Sequence, residues 1–150
     1  MRKFIFMVLL MTGVTMAKEY PESYDAVEAK YQLVGIDALS EKEKAIFAIW
    51  WLEAEVNNGG FHQYFWNSAG DNADIAVESL NKIGATKTAE LLKQAIEIAF
   101  SGSLPLTRDD RQTLLEINED KKMDALGELD DSFYEYQEDF YKMLNTYGAK

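Results

Sequence analysis

The chain has 150 residues, no cysteine and a formal net charge of −11 from 15 basic and 26 acidic side chains. This charge disfavours nucleic acid or an anionic membrane as a binding partner, because binding phosphate groups requires a surplus of lysine and arginine. The missing cysteine excludes disulfides, thiolate nucleophiles and cysteine-ligated metals, and the length suits one domain.

Residues 1–17 have the features of a secretory signal peptide. Arg2 and Lys3 precede an apolar run from Phe4 to Met11, and Ala17 is a small residue at the expected cleavage position. The 14 residues from Phe4 to Ala17 are fewer than the roughly 20 that span a membrane, so no stable anchor is expected after cleavage. The alternative is an apolar N-terminal core helix. Export would place residues 18–150 in the periplasm or outside the cell.

Residues 18–150 predict a single compact all-α domain of about six helices, since no stretch alternates apolar and polar residues as a strand would. A first helix is expected from Glu22 to Val34. Ser40 and Glu43 form a capping box, which begins a second helix. That helix is apolar over much of its circumference, so we expect it to be central and buried. The run Asn57 to Gly60 should end it, because glycine and asparagine tolerate the left-handed conformation.

The second half of the domain is expected to form shorter helices. An aromatic segment from Phe61 to Asn67 predicts one or two helical turns. Apolar residues spaced by three or four predict four more helices, which are expected from Asp71 or Asn72 to Ile83, from Thr86 or Thr88 to Phe100, from Arg108 to Asn118 and from Lys121 to Tyr147. Asp71 or Asn72 can cap the first of these four and Gly84 should end it, and Thr107 is a candidate cap for the third.

The last two predicted helices carry an apolar stripe and an acidic stripe at 100° per residue. The acidic stripe consists of Glu116, Asp120, Asp124, Glu128, Asp131, Glu135 and Glu138. On one continuous helix it would span about 33 Å at ~1.5 Å per residue. Such a stripe either keeps an exported protein soluble or docks a basic partner. Its charges are sparser than those of duplex DNA, which carries one per ~1.7 Å.

The sequence contains no recognisable catalytic motif. His62 is the only histidine, no serine lies in a G-x-S-x-G elbow, and no phosphate-binding or dinucleotide-binding fingerprint is present. Glu-x-x-His pairs are also missing, and Asp71, Asn72 and Asp74 lack the spacing of a calcium-binding loop. We therefore expect no catalytic residue, no metal and no other cofactor, and we interpret His62 and its aromatic neighbours as packed residues.

The run from Glu53 to Gly70 resembles the core motif of the DNA-mimic-protein C-terminal-domain family. That pattern has an acidic residue, then Asn-Gly-Gly-Phe, an aromatic pair, asparagine and glycine. The downstream segments Ala76 to Ala85 and Leu129 to Tyr134 fit the same family. The motif residues are Asn58, Gly59, Gly60, Phe61, Phe65, Asn67 and Gly70. We interpret the motif as mainly structural, with glycines that let the chain turn and phenylalanines that fill the core.

The resemblance implies a mostly helical acidic domain without catalytic activity. The named member of that family covers the DNA-binding face of a transcription factor with carboxylates in place of phosphates. From the motif and the acidic stripe we expect a non-enzymatic module that docks a basic protein surface and does not bind nucleic acid directly. Two alternatives stay open. One is an exported inhibitor or immunity protein that neutralises a toxin or hydrolase, through residues 57–66. The other is an enzyme of the cell envelope.

Overall fold

The computed structural model describes residues 24–147, which form seven α-helices and no strand. The predicted signal peptide, residues 1–17, lies outside the described residues. The helices are α1 (Tyr24–Val34), α2 (Glu41–Trp66), α3 (Ala73–Ile83), α4 (Thr86–Phe100), α5 (Arg108–Glu116), α6 (Glu119–Tyr134) and α7 (Phe140–Thr146). The all-α prediction is confirmed. No helix among residues 24–147 is long and apolar enough to cross a membrane.

Helix α2 is the centre of the domain and contacts α1, α3, α5 and α6. Its side chains Ile49, Leu52 and Val56 are at most 1% exposed, as expected for a helix that is apolar on several sides. The predicted capping box begins it: the Ser40 hydroxyl accepts from the Glu43 N–H, and the Glu43 carboxylate accepts from the Ser40 N–H at 2.7 Å. Hydrogen bonds from the Lys30 ammonium and the Ser40 N–H lower the pKa of Glu43 to about 2.

The predicted ranges of α3, α4 and α5 agree with the structure to within about two residues, but the cap predicted for α3 is wrong. Asn72 occupies the N-cap position without a side-chain hydrogen bond, and Asp71 is paired with arginines of α5. Gly84 ends α3 in the left-handed conformation, with φ of 88°. Thr107 caps α5 as predicted, because its hydroxyl accepts from the Asp110 N–H at 3.1 Å.

The long C-terminal helix predicted from Lys121 to Tyr147 is wrong, because the chain leaves the helix after Tyr134. Residues 135–139 separate α6 from α7, and Tyr136 has a positive φ of 46°. The apolar stripe is nevertheless largely buried: Phe133, Phe140 and Leu144 are each at most 3% exposed. The break therefore turns α7 while keeping its apolar side chains in the same core.

Candidate functional site

The motif glycines form a hinge within α2. Gly59 and Gly60 have non-helical backbone angles, and Gly60 has φ of 76° with ψ of −178°. The helix resumes at once with Phe61 and continues to Trp66. Two helical segments therefore meet at a kink: the first ends at the glycines, as predicted for the run Asn57 to Gly60, and residues 61–66 form the short helical segment predicted after it. Residues Gly59 and Gly60 are called the glycine hinge below.

Asp130 of α6 accepts a hydrogen bond from the backbone at the glycine hinge. Its Oδ1 accepts a hydrogen bond of 2.7 Å from the Phe61 N–H, the group left without a helical partner by the turn. A Cβ on Gly60 would overlap the Asp130 carboxylate. Burial raises the pKa of Asp130, the Phe61 N–H lowers it, and the neighbouring Asp131 carboxylate raises it further. The hinge thus depends both on a glycine backbone and on an acidic side chain from another helix.

Arg111 of α5 holds the other end of α2. Its side chain is 1% exposed, and its guanidinium donates to the Phe65 carbonyl at 3.0 Å and the Asn67 carbonyl at 3.3 Å. Arg111 and Arg108 both pair with Asp71. Burial raises the pKa of Asp71, but the hydrogen bonds from the two arginines outweigh it and lower the pKa. A basic side chain at a helix C-terminus satisfies free carbonyls and opposes the negative end of the helix dipole.

Most of the other motif residues also have structural contacts. Phe61 and Phe65 are 0% exposed, so their predicted place in the core is confirmed. The Asn67 amide donates to Glu55 at 2.9 Å. A Cβ on Gly70 would lie 2.8 Å from the Tyr64 carbonyl oxygen, so the backbones approach too closely for a larger residue. Asn58 is exposed.

A partly buried hydrogen-bond network joins α2 to the end of α6. Glu53 is 1% exposed, and its carboxylate accepts from the Tyr136 hydroxyl at 2.7 Å. The Tyr136 oxygen accepts from the Asn57 amide at 2.6 Å, and the Tyr134 hydroxyl donates to the Val56 carbonyl at 2.8 Å. These contacts fix the chain just after α6, where the positive φ of Tyr136 turns it away from the helix.

Four residues of the predicted acidic stripe lie together on one face of α6. They are exposed and spaced by three or four residues, and they are called the acidic face below: Asp120, Asp124, Glu128 and Asp131. Over these positions the helix rises about 16 Å at ~1.5 Å per residue, half of the length predicted from the sequence. None of the four forms an ion pair with any residue between 24 and 147.

The remaining three residues of the stripe lie outside α6. Glu116 is exposed at the last residue of α5, and Glu135 is exposed just after α6. Glu138 is turned inward to α4, where its carboxylate accepts from the Lys87 N–H at 3.0 Å and the Thr88 N–H at 2.9 Å. The prediction that Glu138 displays its charge on the same stripe is wrong, because it caps the N-terminus of a neighbouring helix instead.

His62 and Trp66 line an open groove beside the glycine hinge. Their rings are parallel, with centroids 6.0 Å apart, and His62 Nε2 lies 3.6 Å from a Glu119 carboxylate oxygen. The groove has a volume of about 530 Å³. Between residues 24 and 147, no three histidine, aspartate or glutamate side chains are placed to hold a metal ion. Tyr64 and the motif phenylalanines are fully buried, so only part of the aromatic segment reaches the surface.

The sequence analysis missed the roles of Asp130 and Arg111. For both residues, the spacing from apolar residues of the same helix could have indicated a buried contact. Asp130 lies four residues after Leu126 and three before Phe133, the buried residues of α6, so it shares their side of the helix. Arg111 lies four residues before the buried Leu115 of α5. A charged residue at an apolar register position indicates a buried polar contact.

The comparisons with known proteins identify a family. A family model described as DMP19-like protein matches residues 37–150, a range that contains the glycine hinge, Arg111, Asp130 and the acidic face. No curated protein and no solved structure matches the chain. The DMP19 family is a family of DNA mimic proteins, which are generally non-enzymatic. Because the matched range covers most of the chain, this protein belongs to the DMP19-like family.

Proposed function

We propose that this chain is a non-enzymatic module that docks a basic protein surface through the acidic face of α6. The observation that carries the proposal is a set of four exposed carboxylates on one helix face, without an ion pair to any residue between 24 and 147. Unpaired charges of one sign attract a complementary surface, speed its association and exclude partners of the same sign.

The position of the acidic face supports a docking role over a purely solubilising one. On the side that faces the core, α6 is held by the hydrogen bond of Asp130 at the glycine hinge and by the buried side chains of Leu126 and Phe133. The carboxylates therefore project from a rigid support, which reduces the entropy lost when a partner binds. Along the helix axis the acidic face carries one charge per ~5 Å, compared with one per ~3.4 Å along a DNA strand. The proposed partner thus has fewer basic groups in contact than a full DNA site would require.

The family membership supports a DNA-binding protein as the partner class. A surface that binds phosphates presents lysine and arginine side chains, and the same side chains can pair with carboxylates. The predicted signal peptide, residues 1–17, decides which basic proteins the chain can meet: export would place it outside the cytoplasm, where it would not meet a transcription factor. Cell fractionation of the full-length chain with a C-terminal tag tests this part: a shortened chain in the exported fraction is expected, and an uncleaved cytoplasmic chain would contradict it.

Competition with labelled DNA tests the docking proposal directly. The assay follows the fluorescence anisotropy of a duplex bound to purified basic DNA-binding domains of several folds, while this protein is added. The wild type is expected to displace the duplex from at least one domain. Displacement should weaken as salt rises from about 50 to 300 mM, because exposed charges are screened over ~10 Å or less.

Two variants with the same change in net charge distinguish the effect of the acidic face on DNA displacement from the effect of the overall negative charge. The first reverses the acidic face to lysine (D120K/D124K/E128K/D131K) and should lose displacement. The second reverses four exposed acids elsewhere, namely Asp37, Glu90, Glu97 and Asp109, and should keep most of it. Equal loss in both variants, or no displacement by the wild type from any domain, would refute the proposal.

A further inference from the structure

The groove beside the glycine hinge combines polar side chains with the Trp66 indole. It is lined by Asn58, His62, Gln63, Trp66, Asn67 and Glu119. The amide groups of Gln63 and Asn67 both donate to the same oxygen, Glu55 Oε2, at 2.8 and 2.9 Å. A carboxamide has two donor hydrogens and one acceptor oxygen, so this shared contact orients both side chains and uses part of their donor capacity. Glu55 thus fixes the orientation of the two amides and leaves their oxygens free to accept a hydrogen bond from a ligand.

Charge and aromatic surface occur together at the same groove. Glu119 is the acidic residue of the lining, and its side chain is 48% exposed. Glu116 precedes it and Asp120 follows it closely in the sequence. No lysine or arginine lines the groove. Trp66 is partly buried at the end of α2 and is held there by a hydrogen bond from Gln112 to its carbonyl, at 3.0 Å. An anionic ligand would find no lysine or arginine in this lining and would be repelled by Glu119.

We propose that this groove binds an arginine side chain of the basic partner, with the guanidinium over the Trp66 indole and paired with the Glu119 carboxylate. The inference rests on the proposed function, because it names one contact of the docked partner. A guanidinium is planar, carries five N–H donors and no acceptor, and stacks on aromatic rings. It therefore matches a lining that offers a carboxylate, amide oxygens and an indole, and it matches better than the compact ammonium of lysine.

The location of the groove fits a contact at the edge of the docking surface. Glu119 begins α6 and directly precedes Asp120, the first residue of the acidic face. A partner lying along the acidic face would thus reach the groove at the N-terminal end of α6. Tryptophan and arginine are enriched among the interface residues that contribute most to binding. The acidic face would then supply attraction over a distance, and the groove a specific short-range contact.

Nuclear magnetic resonance with single-residue compounds tests the groove without any partner protein. The indole N–H signal of Trp66 is assigned by its loss in Trp66→Phe. The probe is N-acetyl-arginine amide, and N-acetyl-citrulline amide is its uncharged control of nearly equal shape. Only the arginine compound is expected to shift the Trp66 signal, in the millimolar range that one side chain can give. Glu119→Gln should weaken the binding about tenfold, whereas Glu116→Gln, outside the groove lining, should leave it unchanged.

Other results would contradict the arginine site, the groove proposal or the docking proposal. Equal shifts from the citrulline compound, or equal weakening by the two glutamine variants, would overturn the arginine site. If the arginine compound does not shift Trp66 while the acidic-face variant still loses partner binding, the groove proposal alone fails. If the compound binds and no basic domain is displaced from DNA, the docking proposal alone fails.

Discussion

Substitution of Gly60 by alanine should destabilise this protein more than any other alanine replacement of a glycine in α2 or α6. Gly60 combines a φ of 76° with a ψ of −178°, a region that is essentially restricted to glycine. The added Cβ would also overlap the Asp130 carboxylate, which accepts from the Phe61 N–H. The substitution therefore strains the backbone and displaces the group that closes the hinge.

The size of the effect follows from these two contributions. Holding a residue other than glycine in that conformation costs about 1–3 kcal/mol, and losing a hydrogen bond to a charged group costs about 1.5–3 kcal/mol. We expect Gly60→Ala to lower the free energy of unfolding by about 3–5 kcal/mol, a large part of the ~5–15 kcal/mol typical of a domain. Gly127 lies inside α6 with open space at its Cβ, so the same change there should stabilise by about 0.5–1 kcal/mol.

Urea unfolding followed by circular dichroism measures both variants, and a double mutant tests the cause. Truncating Asp130 gives the alanine Cβ room, so the losses in Gly60→Ala and Asp130→Ala should not add. The double variant should be more stable than their sum predicts by about 1.5–3 kcal/mol. A loss below ~0.5 kcal/mol in Gly60→Ala, or strict additivity in the double mutant, would refute this account of the hinge.

Four further variants test the contacts around the site. Burial raises the pKa of Asp130 in the folded state, so the stability that this carboxyl group contributes falls as the pH rises from its pKa in the unfolded chain to its pKa in the folded protein. Near pH 7, Asp130→Asn should therefore be as stable as the wild type in urea unfolding, whereas Asp130→Ala should lose about 1–3 kcal/mol. Arg111→Lys should lose about 2–4 kcal/mol, since an ammonium cannot reproduce the guanidinium's divided contacts with two carbonyls and Asp71, and a loss near zero would contradict this. Glu138→Ala should cost about 1–2 kcal/mol by uncapping α4 yet leave DNA displacement unchanged. The arginines lower the pKa of Asp71, so the stability advantage of wild type over Asp71→Asn should disappear as pH falls below ~4, measured by thermal unfolding across pH.

Local signals in the sequence predicted much of the fold. The capping box at Ser40 and Glu43, the hydroxyl of Thr107 and the left-handed Gly84 each act within a few residues, so their roles do not depend on distant parts of the chain. The apolar periodicity likewise identified core residues of α6 and α7, because a helix side that faces the core must be apolar over its length.

The errors arise where distant contacts decide the local conformation. No glycine or proline marks the break after α6, and the turn there is held by Tyr136 on Glu53 and by Glu138 on the N-terminus of α4. The two glycines predict the break in α2, but they carry no information about the Asp130 carboxylate, which accepts from the Phe61 N–H where the helix resumes. Periodicity alone also assigned Glu138 to an exposed stripe, because it carries no information about which neighbouring helix lies within reach.

Helix α6 has an inward and an outward acidic residue next to each other, and this constrains how its length can vary. Asp130 closes the glycine hinge while Asp131 belongs to the acidic face. One residue inserted earlier in α6 would rotate everything after it by about 100°, so that Asp130 and Phe133 would both lose their contacts. The loop of residues 101–106 is exposed apart from Leu104 and Pro105 and has no helical register to keep. Tolerated insertions should therefore accumulate in that loop, whereas α6 should keep a fixed length.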